Sequence, residues 1–294
     1  MKSKYTASVI LAGALWGSMG FFSRTLTGYG LTTPDLIIVR VGISAVLFFV
    51  MLAVKEPQGI KVKLKDFWCF LGSGIVSLMF FTYCYFNAIQ LMSLSAAAIL
   101  LYLAPAIVML LSALLFGESV NKRKLLALFF ALLGCALVSG LIGGSVSVTK
   151  TGLLYGLGSA AGYALYSIFA RFALNRGYSS ITINAYSCAL AAIGAALIFR
   201  PVGFIVRITA SPAVFIWCVI AAVFTCFLPY AFYTYGLTGI ENSRASVMAS
   251  VEPVVASIIG VAFYREIMTL PSVIGAALVL SAIVLLNSDS AKSS

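Results

Sequence analysis

The chain has 294 residues, 62% of them hydrophobic and 9% charged, with a net charge of +11 and a mean hydropathy of +1.09. A soluble domain carries roughly 25% charged residues, so this composition cannot cover a water-facing surface and reads as an integral membrane protein. Histidine is absent, which removes the usual metal ligand and general base, and no metal or cofactor is expected. The basic residues sit in short connectors between apolar runs, a distribution that follows membrane topology and excludes a nucleic-acid-binding face.

A spanning helix needs about 20 mostly apolar residues, and ten such runs are predicted. The first, near 6–28, follows "MKSKYTAS" and carries Trp16 with Gly13, Gly17 and Gly20. No AxA-like cleavage site follows it, so it reads as a retained span and not a signal peptide. The second, near 34–54, carries Arg40, read as bonding carbonyls of a neighbouring helix or snorkelling outward. The third, near 66–90, has Trp68 at the headgroups and Phe80, Tyr83 and Asn87 on one face. The fourth, near 94–116, has Tyr102 and Pro105 and ends at Glu118. The fifth lies near 122–142 and the sixth near 151–174, with Tyr163, Tyr166 and small residues at Gly152, Gly156, Gly158 and Gly162 that permit close helix contact. The seventh lies near 181–199, and the eighth, near 212–238, carries Tyr230, Tyr233 and Tyr235. The ninth, near 243–264, holds Glu252 and Pro253 and ends near Glu266; the tenth lies near 269–287. The six cysteines are isolated within apolar runs and read as packing residues.

With the N-terminus inside, 13 Lys and Arg fall in inner segments and 5 in outer connectors, with Arg40 in a span completing the 19. The asymmetry predicts cytoplasmic N- and C-termini in a multi-pass protein of the cell membrane. The chain also repeats itself. Shifted by 148 residues, Tyr85 meets Tyr233, Ser95 meets Ser243, Pro105 meets Pro253 and Glu118 meets Glu266; "ALWGSMGFFSR" meets "AGYALYSIFAR" at 147. Five spans per copy is odd, so the second copy enters the membrane from the opposite side. The expected fold is all-α, ten transmembrane helices in two inverted five-helix repeats, 1–145 and 146–294, around a central cavity. Inverted repeats of this kind mark secondary transporters.

On "ALWG" at 14–17, Arg40, "YFNAI", "APAIVMLLSALLFGES", "VEPVVASIIGVAFYREI" and "GAALVLSAIVLL", the chain resembles the EamA-type ten-helix members of the drug/metabolite transporter superfamily. The resemblance implies two pseudo-symmetric bundles around a cavity and movement of small metabolites. It departs where Arg265 replaces the usual Gly before the second terminal Glu.

Glu252 lies about ten residues into its span, roughly 13–15 Å deep at about 1.5 Å per residue. A carboxylate there costs on the order of 2.5–3.5 kcal/mol, so it should face protein or a wet cavity. Pro253 cannot donate to the carbonyl of residue 249, which frees a backbone acceptor. Glu252 reads as a site for a positive cargo group or for a coupling proton; the alternative is a carboxylate bonded to a Ser or Tyr hydroxyl, or paired with a basic residue, that holds the packing. Trp16, Tyr83, Asn87, Tyr102, Tyr163, Tyr166 and Tyr233 are the candidate cargo-lining set, with Pro105 and Pro253 as helix breaks. The bland reading of the tyrosines is an interfacial belt, as for Tyr5, Tyr29 and Tyr178.

No P-loop, GxSxG or HExxH occurs, so an enzyme is not expected. The function predicted is a secondary carrier of amino acids, amines or related hydrophobic or cationic compounds, working by alternating access, with proton coupling as an option. Uptake of a choline-like quaternary amine is the alternative, and a passive channel the third reading. Monomer and homodimer are both left open.

Overall fold

The apolar runs fold as helices. The computed structural model describes residues 2–92, 94–140, 149–265 and 267–287, and no strand occurs among them. Eight helices are long and apolar enough to cross a membrane: α1 (Ser3–Gly28), α2 (Thr33–Lys55), α3 (Leu64–Tyr85), α4 (Ala96–Phe116), α6 (Lys150–Asn175), α7 (Ser180–Phe199), α8 (Pro212–Leu237) and α9 (Asn242–Tyr264). Two shorter ones, α5 (Lys122–Val138) and α10 (Leu270–Asn287), lie where the fifth and tenth runs were predicted. A five-residue helix, Phe204–Ile208, joins α7 to α8. Its Arg207 makes a two-pronged ion pair, 2.8 Å at each contact, with Asp35 at the start of α2. The surface is studded with exposed Val54, Leu114, Leu154 and Leu197, as a lipid-facing surface requires.

Packing is reciprocal between the halves. Helix α1 lies against α8 and α9, and its counterpart α6 lies against α3 and α4; α2 pairs with α7 and α5 with α10. At the crossing of α5 and α10, a Cβ built on Gly134 would sit 2.6 Å from the Gly275 carbonyl oxygen, and one built on Gly275 equally near that of Gly134. Only glycine allows that approach.

Both prolines stop a helix where the sequence placed a break. Helix α4 is interrupted at Tyr102–Leu103 and restarts at Ala104; α9 is interrupted at Ser250–Val251 and restarts at Glu252. Each Pro occupies the first turn of its restarted segment, where a missing N–H leaves nothing unpaired. A second pair of irregularities had no sequence signal. Helix α3 is π-helical over Gly72–Met79 and α8 over Val223–Phe227, and the 148-residue offset superposes the second on the end of the first. Arg40 reaches this segment of α8, donating from Nε to Thr225 Oγ1 and from Nη2 to the Thr225 carbonyl, each at 3.0 Å. That is the carbonyl-bonding role expected of it. Arg265 takes the left-handed conformation (φ 56°) that its counterpart Gly117 also adopts (φ 66°). Glu266 lies outside the described residues.

Candidate functional site

Three spaces follow one another through the centre of the molecule, separated by two tyrosines. The largest, about 290 Å³, is a vestibule among the C-terminal halves of α1 and α9, the start of α4 and the end of α5; Gly20, Arg24, Tyr102, Pro253, Ser257 and Tyr264 line it. It lies at the end of the molecule opposite Lys2 and Asn287, where the described chain begins and ends, as the courses of α1 and α9 dictate. Arg24 stacks over the Tyr264 ring at 4.3 Å. Tyr102 is shared with the second space, a cleft with about 10 Å³ free that is lined by Pro105, Tyr163, Ser246, Ser250 and Glu252. That is room for about one water. Tyr163 is shared in turn with a third space of similar size, lined by Trp16, Ser77, Phe81, Tyr166, Tyr230 and Tyr233.

Glu252 sits at the N-terminal start of the restarted segment of α9, where the helix dipole favours an anion. Its carboxylate accepts no hydrogen bond and makes no ion pair among the described residues. The nearby serine hydroxyls are engaged elsewhere: Ser246 donates to the Ser243 carbonyl and Ser250 to that of Ser246. The packing alternative needed such a bond, and the geometry does not supply it. The carbonyl freed by Pro253 is placed differently from expectation. The Ala249 oxygen lies 2.6 Å from a Cβ built on Gly13, and the Glu252 oxygen equally close to one built on Gly17. Both backbone oxygens thus lie against the glycine face of α1.

The aromatic pocket is tightly closed. The Trp16 ring lies 6.1 Å from Tyr163, 5.2 Å from Tyr230 and 5.3 Å from Tyr233. Two hydroxyls are fixed to the walls. Tyr233 shares a 2.7 Å bond with Ser167, and Tyr166 bonds Asn184 Oδ1 at 2.5 Å and Thr234 Oγ1 at 2.8 Å. The Asn184 amide in turn donates to the Tyr230 carbonyl. Tyr166 is thereby a wall that ties α6, α7 and α8 together. Tyr102 and Tyr163 differ, because their hydroxyls make no such bond among the described residues.

The structure brings Trp16, Tyr102, Tyr163, Tyr166, Tyr233, Glu252, Pro105 and Pro253 to these three spaces. It does not bring Tyr83 and Asn87 there. Tyr83 is exposed and packs edge-on against Tyr155 at 6.1 Å. Asn87 lines a separate groove between α2 and α7 and donates its amide to the Tyr83 carbonyl of its own helix at 2.8 Å. That local bond satisfies the amide without an inward partner. The inward stripe of α3 is instead Ser77, Leu78 and Phe81. Sequence reading also passed over Ser246 and Ser250. With Ser243 they recur at intervals of three and four, a hydroxyl stripe on one face of α9 that pointed to a polar lining.

The chain is similar to proteins described as transporters. An "Uncharacterized transporter" of Archaeoglobus fulgidus is 28% identical over 283 residues, covering 95% of this chain and 94% of the relative. The "Uncharacterized inner membrane transporter YicL" of Salmonella typhimurium is 23% identical, covering 96% and 95%. A solved crystal structure shares the fold, with a TM-score of 0.81 at 17% identity over 97% of this chain and 96% of the other. The family unit matches twice, over residues 4–140 and 150–288, and the chain belongs to the EamA-like transporter family.

Proposed function

We propose that this membrane transporter is a secondary carrier of small metabolites with a positively charged group, built as ten spans in two inverted five-helix repeats and working by alternating access. The single observation that carries this reading is the carboxylate of Glu252, without a partner among the described residues, in a cleft between two helix breaks. A buried carboxylate without a protein partner is stable only if water, a proton or a cargo group supplies one. Trp16, Tyr102 and Tyr163 beside it add aromatic faces that attract cations. The vestibule of about 290 Å³ is at the low end of small-molecule pockets, which run about 300–1,000 Å³. Cargo is therefore of amino-acid or amine size. The clefts beyond Tyr102 hold about 10 Å³ each, so cargo enters them only as the rings part. Access from one end with closure at the other supports a carrier over an open pore. The positive-inside asymmetry supports cytoplasmic termini in the cell membrane, with the vestibule facing outward.

The test uses purified protein in liposomes, with amino acids, primary amines and quaternary amines as cargo. Saturable counterflow of a cationic cargo is expected, and Glu252→Gln reduces it by about 10–100-fold, the loss of one charge-assisted contact of roughly 1.5–3 kcal/mol. Conductance far above carrier turnover would overturn the carrier reading. Equal flux of a cationic cargo through the Gln variant would remove Glu252 from its recognition, and undiminished dependence on an imposed proton gradient would remove it from coupling.

A further inference from the structure

The end of the molecule opposite the vestibule is sealed by polar contacts that cross between the halves. Helix α9 shows the contrast along its own length. Its first segment, Asn242–Ala249, is buried at seven of eight positions, whereas Pro253, Ser257 and Tyr264 further along line the vestibule. At the start of that buried segment, Glu118 at the end of α4 accepts the Asn242 N–H at 2.8 Å through one oxygen. Through the other it accepts the Ser243 N–H at 3.0 Å and the Ser243 hydroxyl at 2.5 Å. Arg171 of α6 holds the same turn, donating from Nε to Asn242 Oδ1 at 2.9 Å and from Nη2 to the Ile240 carbonyl at 2.6 Å. Asn242 donates onward to the Ser167 carbonyl at 3.0 Å. Lys124 of α5 closes the ring with a 2.7 Å ion pair to Glu241 and a 2.6 Å bond to the Ser119 carbonyl.

We propose that Glu118, clasped on the first-turn backbone amides of α9, is the latch that holds the terminus-bearing face shut while the vestibule is open. The inference rests on the carrier reading and adds the contact that must break in its cycle. Bonds from a carboxylate to backbone N–H and hydroxyl groups are short and roughly twice as strong as neutral ones. They also sit at a helix end that water reaches once the halves part. Polar groups there exchange protein partners for water at small net cost, which a seal of apolar side chains cannot do. The contact joins the end of α4 to the start of α9, the two broken helices, so its release frees both to move about the Tyr102 and Ser250 interruptions. Ser243 lies nine residues before Glu252 on α9, about 13 Å along the helix. An opening at the latch is therefore continuous with the carboxylate cleft.

The test reads accessibility, with no cargo present. Single reporter cysteines are introduced by Ser257→Cys in the vestibule and Ser246→Cys in the Glu252 cleft, in full-length protein in oriented vesicles; the six native cysteines are all buried and give the background. A membrane-impermeant maleimide is applied from each side in turn. In the otherwise unchanged chain the Ser246→Cys reporter is expected to label slowly from the terminus-bearing side. Adding Glu118→Ala raises that rate at least tenfold and lowers labelling of the Ser257→Cys reporter from the opposite side. An unchanged ratio in a chain with the parent's melting temperature overturns the proposal. If Glu118→Ala does not fold, Ser243→Ala, which removes only the hydroxyl contact, is expected to shift the ratio the same way by a smaller factor; no shift there overturns it equally. A chain that moves no cargo leaves this result standing, so failure of the latch and failure of the carrier reading are told apart.

Discussion

Tyr102 and Tyr83 carry the same chemistry and occupy opposite situations. Tyr102 is shared between the vestibule and the Glu252 cleft, whereas Tyr83 faces outward against Tyr155. The hydroxyl of Tyr102 sits at the α4 break with no bond to a wall among the described residues, where it can contact cargo or water passing between the two spaces. Tyr102→Phe is expected to weaken cargo affinity about 3–10-fold, the worth of one hydrogen bond of roughly 0.5–1.5 kcal/mol, with no fall in melting temperature. Tyr83→Phe is expected to change affinity by less than twofold; radioligand competition on both variants checks this, and equal effects would contradict the assignment. The sequence made the carboxylate and the prolines legible because each is costly in lipid and so must have a reason. Tyrosine gave a weaker signal: an amphipathic ring is as stable at the headgroups as in a cavity. The stripe of Phe80, Tyr83 and Asn87 follows from helical spacing, which defines a face and not its direction, and Asn87 satisfies its amide within its own helix.

Between elements, the contact that positions the cleft is the crossing of α1 and α9. Gly13 and Gly17 lie one turn apart on α1, each with a backbone oxygen of α9 where a Cβ would stand. A methyl group at Gly17 would meet the Glu252 carbonyl oxygen at 2.6 Å and the Val255 Cβ at 2.8 Å. Backbone cannot swing aside as a side chain can, so α9 must shift at the residue that carries the carboxylate. Gly17→Ala is expected to cost about 1–3 kcal/mol and to impair transport beyond the loss of folded protein. The control is Gly42→Ala in α2, where a Cβ has nothing within 4 Å; relief of glycine's helix penalty, up to about 1 kcal/mol, leaves that variant as stable or more so. Melting curves and normalised uptake separate the two cases. The small residues of α1 were legible as a packing face, but Gly20 meets nothing within 4 Å and borders the vestibule instead. Spacing identifies a face and cannot say where along it a neighbour departs. The π-helical segments were illegible for a related reason: neither "GSGIVSLM" nor "VFTCF" holds a proline, and the partners of Ser77 and Thr225 come from distant helices.

At the scale of the whole molecule, the reciprocity of α1 on α8 and α9 with α6 on α3 and α4 is what a two-fold exchange of halves requires. A direct repeat without inversion would also place α1 and α6 in similar surroundings, but both would start from the same side of the membrane. Five spans per half, as proposed, would fix the difference. If α5 and α10 cross the bilayer despite their shorter apolar lengths, the start of α6 and the chain's N-terminus lie on opposite faces. The charge pattern agrees, with Lys2 and Lys4 at the head of α1 and only Lys150 at the head of α6. Alkaline phosphatase, active only outside the cytoplasm, is therefore expected to be active when fused after residue 146 and inactive when fused at the C-terminus; green fluorescent protein at the same two points should give the reverse. Absence of phosphatase activity after residue 146 would mean an even number of crossings in the first half. The two copies would then be parallel, and the paired breaks at Tyr102 and Ser250 would no longer face a common cleft from opposite directions.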